Sequence, residues 1–330
     1  MKNKNTLLAL ISLISTQSIA QSDVDLKYFD KILVQYQAEV NNIEKLEADK
    51  KNKIEEKIFE KYQMKKVGKD IYSFYSENDP GVFPANVSLI KFKNELVLVN
   101  AGKNYEVARN LYKTIESNFG KAPYGVFIES SAPEYSQAAS FWFDKGVNIY
   151  MHKTSISNYH KNFKQGPSKK LKDISKEIRW FRHFYDKKID GELVKFRYYG
   201  KTLRPGSMIV ELREREFIFA GETVITNEIP MFNDKTSTID WVNAYRNMVR
   251  YKYTNYKVMP GVGNVSDLEK TEKTTFELLR EMQVKSIKLR KGGKKASDAY
   301  NALDHERFSN IGNYYKNMKF NLTFVFKEFW

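Results

Sequence analysis

The feature that most constrains this chain is an order that repeats: two strand-rich halves, each closing with helices. In the first half Asp70–Tyr75 reads as a strand and Asp79–Pro84 as a turn cluster. Val87–Phe92 and Glu95–Val99 then read as a hairpin across Lys93-Asn94. A tight turn to Gly102 leads into a helix-like stretch, Asn104–Phe119, followed by a strand-like entry at Val126 and a short strand, Val147–Met151. The second half offers strands Glu192–Tyr199, Ser207–Glu211 and Glu216–Phe219, then a turn at Ala220-Gly221. Helix Ile239–Arg250, strand Tyr256–Met259 and helix Asp267–Leu289 complete it. Strands that bury one face against a second sheet and the other against helices give a layered α+β domain. Between the halves Ser168–Tyr185 is charged and expected to be helical, with Trp180, Phe181, Phe184 and Tyr185 as its aromatic face.

The 330 residues are 42% hydrophobic and 14% aromatic, enough for a large core and far from a disordered tail. Met1–Ala20 reads as a secretory signal: Lys2 and Lys4 precede the apolar run Thr6–Ile14, and Ser18-Ile19-Ala20 supplies small residues for cleavage after Ala20. That run is too short for a membrane span, and no second candidate follows. The expected address is periplasmic or secreted. With no cysteine the chain has no disulfide to lean on, so the core alone must hold the fold. The net charge of +15 raises the question of a nucleic-acid partner. Basic residues are instead spread along the chain and interleaved with acids, as in Glu44–Lys61, so no nucleic acid is expected.

Asp23–Tyr62 has neither Pro nor Gly, and Leu26, Phe29, Leu33, Tyr36, Val40 and Ile43 step by threes and fours. This is a helix stripe. It packs on the chain's own domain or serves as an arm for docking or self-association. The organisation expected is therefore a signal peptide (1–20), a helical arm (21–64) and one domain (65–330) with a helical insertion at about 160–190.

Six ordered segments carry a resemblance. Asn100-Ala101-Gly102 stands where a strand turns into a helix, and Ser131-Ala132-Pro133-Glu134-Tyr135-Ser136 follows the next strand. Gly200–Val210 (GKTLRPGSMIV), Phe217–Thr223 (FIFAGET), Asp240-Trp241 and Val258–Gly263 (VMPGVG) come in order after them. Together, over about residues 65–330, they resemble the metallo-β-lactamase superfamily. Its turn is Asp-Thr-Gly and its zinc loop His-x-His-x-Asp-His; Asn321–Glu328 is similar to the tail of exported members related to quinoprotein relay hydrolases. The resemblance implies a four-layer αββα sandwich and a hydrolase that uses one or two zinc ions.

At the ligand positions, however, this chain has Ser131, Pro133, Tyr135, Ser136, Leu203 (or Lys201, with the gap placed differently), Glu222 and Val262. Zinc takes three protein donors per catalytic ion from imidazole, thiolate or carboxylate. Only Glu222 is such a donor, so no zinc and no other cofactor is expected. The four histidines, His152, His160, His183 and His305, show no paired spacing that would replace them. A serine hydrolase at Ser131 or Ser136 would need a base and an oxyanion site, and no Gly-x-Ser-x-Gly turn exists here. The function expected is that of an exported pseudoenzyme. Its vestigial cleft, lined by Ser131, Tyr135, Ser136 and Glu222 with Lys201 or Arg204 at the edge, would take a small polar ligand, or the arm and the aromatic insertion would take an envelope protein. The alternative is a hydrolase of the same fold with unorthodox metal ligation. A third reading rests on the aromatic tail Phe320–Trp330, which resembles the last strand of an outer-membrane barrel but lacks the repeated strands one requires.

Overall fold

A computed structural model describes residues 34, 38, 41, 42, 45, 61–162, 178–250, 252 and 255–329. The chain divides into two units, Met1–Glu60 and Lys61–Trp330. In the first, Val34, Ala38, Asn41, Asn42 and Lys45 are helical. The expected signal peptide and the rest of the arm up to Glu60 lie outside the described residues, as does most of the Ser168–Tyr185 stretch.

The second unit holds two sheets. In sheet order, the first is β1 (Gln63–Gly68), β2 (Ile71–Tyr75), β3 (Ser88–Lys91), β4 (Leu96–Val99), β5 (Gly125–Ile128), β6 (Asn148–His152) and β7 (Arg179–Phe181). Strands β1 to β4 pair antiparallel and β4 to β7 parallel. The second sheet runs β13 (Ser266–Asp267), β12 (Lys257–Pro260), β11 (Phe217–Gly221), β10 (Ile209–Leu212), β9 (Glu192–Arg197) and β8 (Phe184–Ile189). Helix α1 (Tyr105–Phe119) crosses from β4 to β5; α2 (Pro133–Ser136) and α3 (Ala139–Asp144) precede β6, and α4 (Lys153–Asn162) follows it. Helix α5 (Thr238–Val249) precedes β12. After β13 come α6 (Leu268–Thr271), a π-helical stretch (Glu272–Glu277), α7 (Leu278–Lys291), α8 (Ala296–Asn301), α9 (His305–Phe308) and α10 (Tyr314–Glu328).

The layers follow from side-chain alternation. In β4, Leu96 and Leu98 join the cluster that holds Val107, Leu111 and Ile115 of α1 and Trp142 of α3. Val97 and Val99, one residue out of phase, join Phe127, Tyr150, Phe196, Val210, Phe217 and Phe219 between the two sheets. Strand β11 repeats the pattern, with Phe217 and Phe219 facing the first sheet and Ile218 and Ala220 facing Tyr245 and Met248 of α5. A period of two places successive residues on opposite faces, so strands buried on both faces are wholly apolar, as LVLV in β4 is. The result is an αββα sandwich. Removing one of the fully buried central rings, such as Phe196, costs about 3–5 kcal/mol by the usual large-to-small rule.

Two expectations are corrected. Trp180, Phe181, Phe184 and Tyr185 are not a helical face: they lie in β7 and β8, the strands that end the two sheets. Phe181 and Tyr185 pack between the sheets, whereas Trp180 and Phe184 are exposed. Second, β1 begins at Gln63, so residues expected to end the arm form a strand of the sandwich. The aromatic tail Phe320–Glu328, for which the sequence already disfavours a barrel strand, is the end of α10; Met318, Leu322 and Val325 pack it into the core of the second helical layer. Spacings of three and four put those residues on one helical stripe.

Candidate functional site

The site lies where β4, β5 and β11 end. The turn after β4 needs left-handed backbone at Asn100 (φ 68°) and Gly102 (φ 93°). Asparagine tolerates that region, and its side chain is used as well. Asn100 Nδ2 donates to Asn86 O (2.8 Å) and Glu129 Oε2 (2.7 Å), and Asn100 Oδ1 accepts from Glu129 N (3.1 Å). Asn104 caps α1 by accepting from Val107 N at 2.9 Å.

Glu129 follows β5 and is 1% exposed. Burial pushes its carboxyl up to about 8, against the Asn100 hydrogen bond that pulls it down. Its other oxygen, Oε1, has no partner among the described residues. Loss of water disfavours the charged form of an acid, so Glu129 is mainly protonated at pH 7. Its neighbour is Gly221 (φ 50°), where an added Cβ would stand 3.1 Å from Glu129 Cβ. Gly261 is tighter still: an added Cβ there would stand 2.0 Å from the Tyr135 hydroxyl. Glycine at 261 therefore makes room for the phenol. Burial and the surrounding carboxylates, Glu222 first, hold that phenol well above its ordinary pKa.

Glu222 follows β11 and both its oxygens are committed. Oε1 pairs with Arg204 Nη1, and Oε2 accepts from Ser207 Oγ at 2.8 Å. Arg204 Nη1 also stands 3.5 Å from Glu134 Oε1. Burial raises the Glu222 pKa, while the Arg204 guanidinium and the Ser207 hydroxyl oppose that rise. A guanidinium does not release its proton, so the Glu222 carboxyl faces a fixed positive charge. Around it lies an open cleft of about 620 Å³, with Pro84, Pro133, Pro230, Leu203, Met231 and Val262 as apolar walls and Lys103, Gln137 and Glu228 among its polar lining.

Of the expected cleft residues, Pro133, Tyr135, Leu203, Arg204, Glu222 and Val262 line this cavity. Ser131, Ser136 and Lys201 are not among its lining residues. Ser136 is fully buried and donates to Ser131 O (3.1 Å) and Ala132 O (2.9 Å), so its hydroxyl ties off the turn of α2. Ser131 is 2% exposed and Lys201 is exposed. His152 is buried under Tyr198, with ring centroids 4.0 Å apart, and its Nε2 stands 2.6 Å from Arg182 O. Burial lowers its pKa. Sequence reasoning placed Arg204 at the rim, whereas it is the centre of the charge arrangement. It passed over Glu129, for which a lone acid at a strand end gives no signal.

The zinc this fold implies does not fit these residues. Pro133, Leu203 and Val262 have no side-chain donor, and Glu222, the carboxylate at a ligand position of the resemblance, is already paired with a fixed cation that would repel a second. Among the described residues no three His, Cys, Asp or Glu side chains converge as a metal requires.

Neither a protein-family model nor a curated protein matches this sequence. Solved structures do. A metallo-beta-lactamase from Pontibacter korlensis aligns with a TM-score of 0.56 at 16% identity, covering 67% of this chain and 99% of that one. The DIM-1 metallo-beta-lactamase aligns at 0.54 with 17% identity, over 67% and 98%. TMB-1 aligns at 0.55 with 13% identity, over 67% and 98%. At such identities the likeness is one of architecture, and it agrees with the layers and the strand order above. The chain has the metallo-β-lactamase fold.

Proposed function

We propose that this chain is an exported pseudoenzyme that binds a small polar ligand at the cleft over Arg204 and Glu222, or an envelope protein through the helical arm and the aromatic segment 180–185. The observation that carries the reading is the fate of Glu222. The carboxylate at a ligand position of the resemblance is spent on Arg204 and Ser207. Without a metal-bound water nothing on the cleft floor supplies a nucleophile near neutral pH. What the floor does supply is hydrogen bonding: the Tyr135 hydroxyl, the remaining N–H groups of Arg204 and the half-exposed Glu134 carboxylate, set between apolar walls. Concave, mostly apolar sites with a few convergent polar groups are the usual form of a small-molecule pocket. The leader-like Met1–Ala20 supports export, with cleavage after Ala20.

The test is made on protein from fractionated cells. The proposal expects it in the periplasm or the medium, free of chelator-sensitive hydrolase activity. In a thermal-shift screen with envelope extract, a stabilising component should lose its effect in Glu134→Gln, a variant that leaves the buried pair intact. Hydrolysis that a chelator abolishes and zinc restores would establish the hydrolase alternative instead.

A further inference from the structure

Away from the cleft, two cations stand at positions where the sandwich places apolar side chains. In β8 the inward series is Tyr185, Lys187, Ile189, and the outward series Phe184, Asp186, Lys188 is exposed. Tyr185 and Ile189 pack between the sheets, so Lys187 shares their face. Lys187 pairs in register with Val194, which is fully buried between the sheets. On the facing sheet Arg179 of β7 pairs with Tyr150 of β6 and shares the face of Phe181, but on the last strand of the sheet it is exposed. The two cations converge on two phenols. Lys187 Nζ lies 5.3 Å from the Tyr124 ring centroid and 5.7 Å from that of Tyr150. Arg179 Cζ lies 5.7 Å from the Tyr150 ring. The two hydroxyls are 3.4 Å apart.

Every group in this cluster can donate, and none is a carboxylate. The acids of the adjoining strands are engaged elsewhere: Asp186 with Arg197, Asp190 with Asn94 and Glu192 with Arg215. Among the described residues neither Arg179 nor Lys187 has an ion-pair partner. Arg204, Arg215 and Lys252, by contrast, each meet a carboxylate. Tyr124 feels the excess of donors: the Tyr150 hydrogen bond first, and then Lys187, hold its phenol below the ordinary value.

We propose that Tyr124, Tyr150, Arg179 and Lys187 form an oxyanion site for a phosphate group, independent of the cleft. A guanidinium fork matches two phosphate oxygens, an ammonium serves a third as a point charge, and a phenol donates to an oxyanion. Free phosphate and the phosphate of a lipid headgroup present the same chemistry.

The full chain is titrated with inorganic phosphate and, in a second arm, with phosphatidylglycerol vesicles against phosphatidylcholine vesicles. Binding is followed by calorimetry or sedimentation, and tyrosinate absorbance by pH titration. Phosphate is expected to bind and to raise the pKa of the Tyr124 phenol, the signal disappearing in Tyr124→Phe. Arg179→Ala with Lys187→Ala should weaken binding at least about tenfold, the loss of roughly one charge-assisted contact. Binding to anionic vesicles alone, with the same dependence on Arg179 and Lys187, assigns the site to a headgroup. No binding in either arm, equal binding by the variants, or an unmoved tyrosine titration overturns the proposal. The wild-type tyrosine titration decides the matter should a variant fail to fold.

Discussion

Strand β5 joins two regions that treat positive charge in opposite ways. Beyond its end, Arg204 reaches a buried carboxylate and a second, half-exposed one, and Ser207 completes the arrangement. Before its start, Tyr124 stands with Tyr150 beneath Lys187 and Arg179, with no acid among the described residues to meet them. Desolvation explains the difference in role. A buried ion is tolerated only when paired and hydrogen-bonded, so the first cation is part of the fold. The second pair, held at the open edge of the sandwich, keeps its charge for something outside the chain.

The largest test of that contrast is Arg204→Ala, which strands Glu222 in the interior. Removing one partner of a buried pair costs about 3–5 kcal/mol; with the Arg204 side chain 34% exposed, a loss near 3 kcal/mol is expected in urea unfolding. Adding Glu222→Gln should restore most of it. A loss no greater than that of an ordinary surface substitution would break the contrast.

Glu129→Gln is next. Its folded pKa, about 8, lies above the unfolded value, near 4.3. The folded state therefore keeps a proton that the unfolded state has released. That contribution is whole below pH 4.3, declines as pH rises, and is fully lost above pH 8. The wild type should thus fall relative to the Gln variant by on the order of 2–3 kcal/mol between pH 5 and pH 9, allowing for relaxation of the site. Parallel pH profiles would show that Glu129 is ionised in the fold.

Gly206→Ala follows. At φ +89° an added Cβ would stand 2.5 Å from Ser155 Oγ and 2.8 Å from Ser155 N. Residues forced into such backbone carry about 1–3 kcal/mol of strain, and the loop that bears Arg204 should shift. A melting temperature lower by several degrees is expected. Last and smallest, Lys187→Ala and Arg179→Ala should each change stability by less than about 0.5 kcal/mol, as surface substitutions do. A larger loss would show that these cations are structural after all.

The architecture was legible because each strand of the sandwich writes its own period of two, and each turn names itself. Asn100 and Gly102 mark the β4 turn, and Ala220-Gly221 the end of β11. Trp180 to Tyr185 misled for a local reason: aromatics at 180, 181, 184 and 185 have helical spacing, yet a bend at Arg182-His183 divides them between two sheets. Strand preference is set more by neighbouring strands than by the segment itself. That Pro133, Leu203 and Val262 offer no metal donor was readable, because a metal needs specific donors. The Arg204–Glu222 pair was not, since 18 residues and a hairpin separate its members. Glu129 gave no sign either, because its meaning lies in burial and in the asparagine 29 residues before it.

The central proposal is that the Arg204–Glu222 ion pair stands where this fold would hold a metal. Zinc content of the purified protein, measured after incubation with excess zinc and desalting, tests it most directly. The account predicts far less than one zinc per chain and an unfolding midpoint that a chelator leaves unchanged. About one or two zinc ions per chain, with the midpoint falling on chelation, would contradict it.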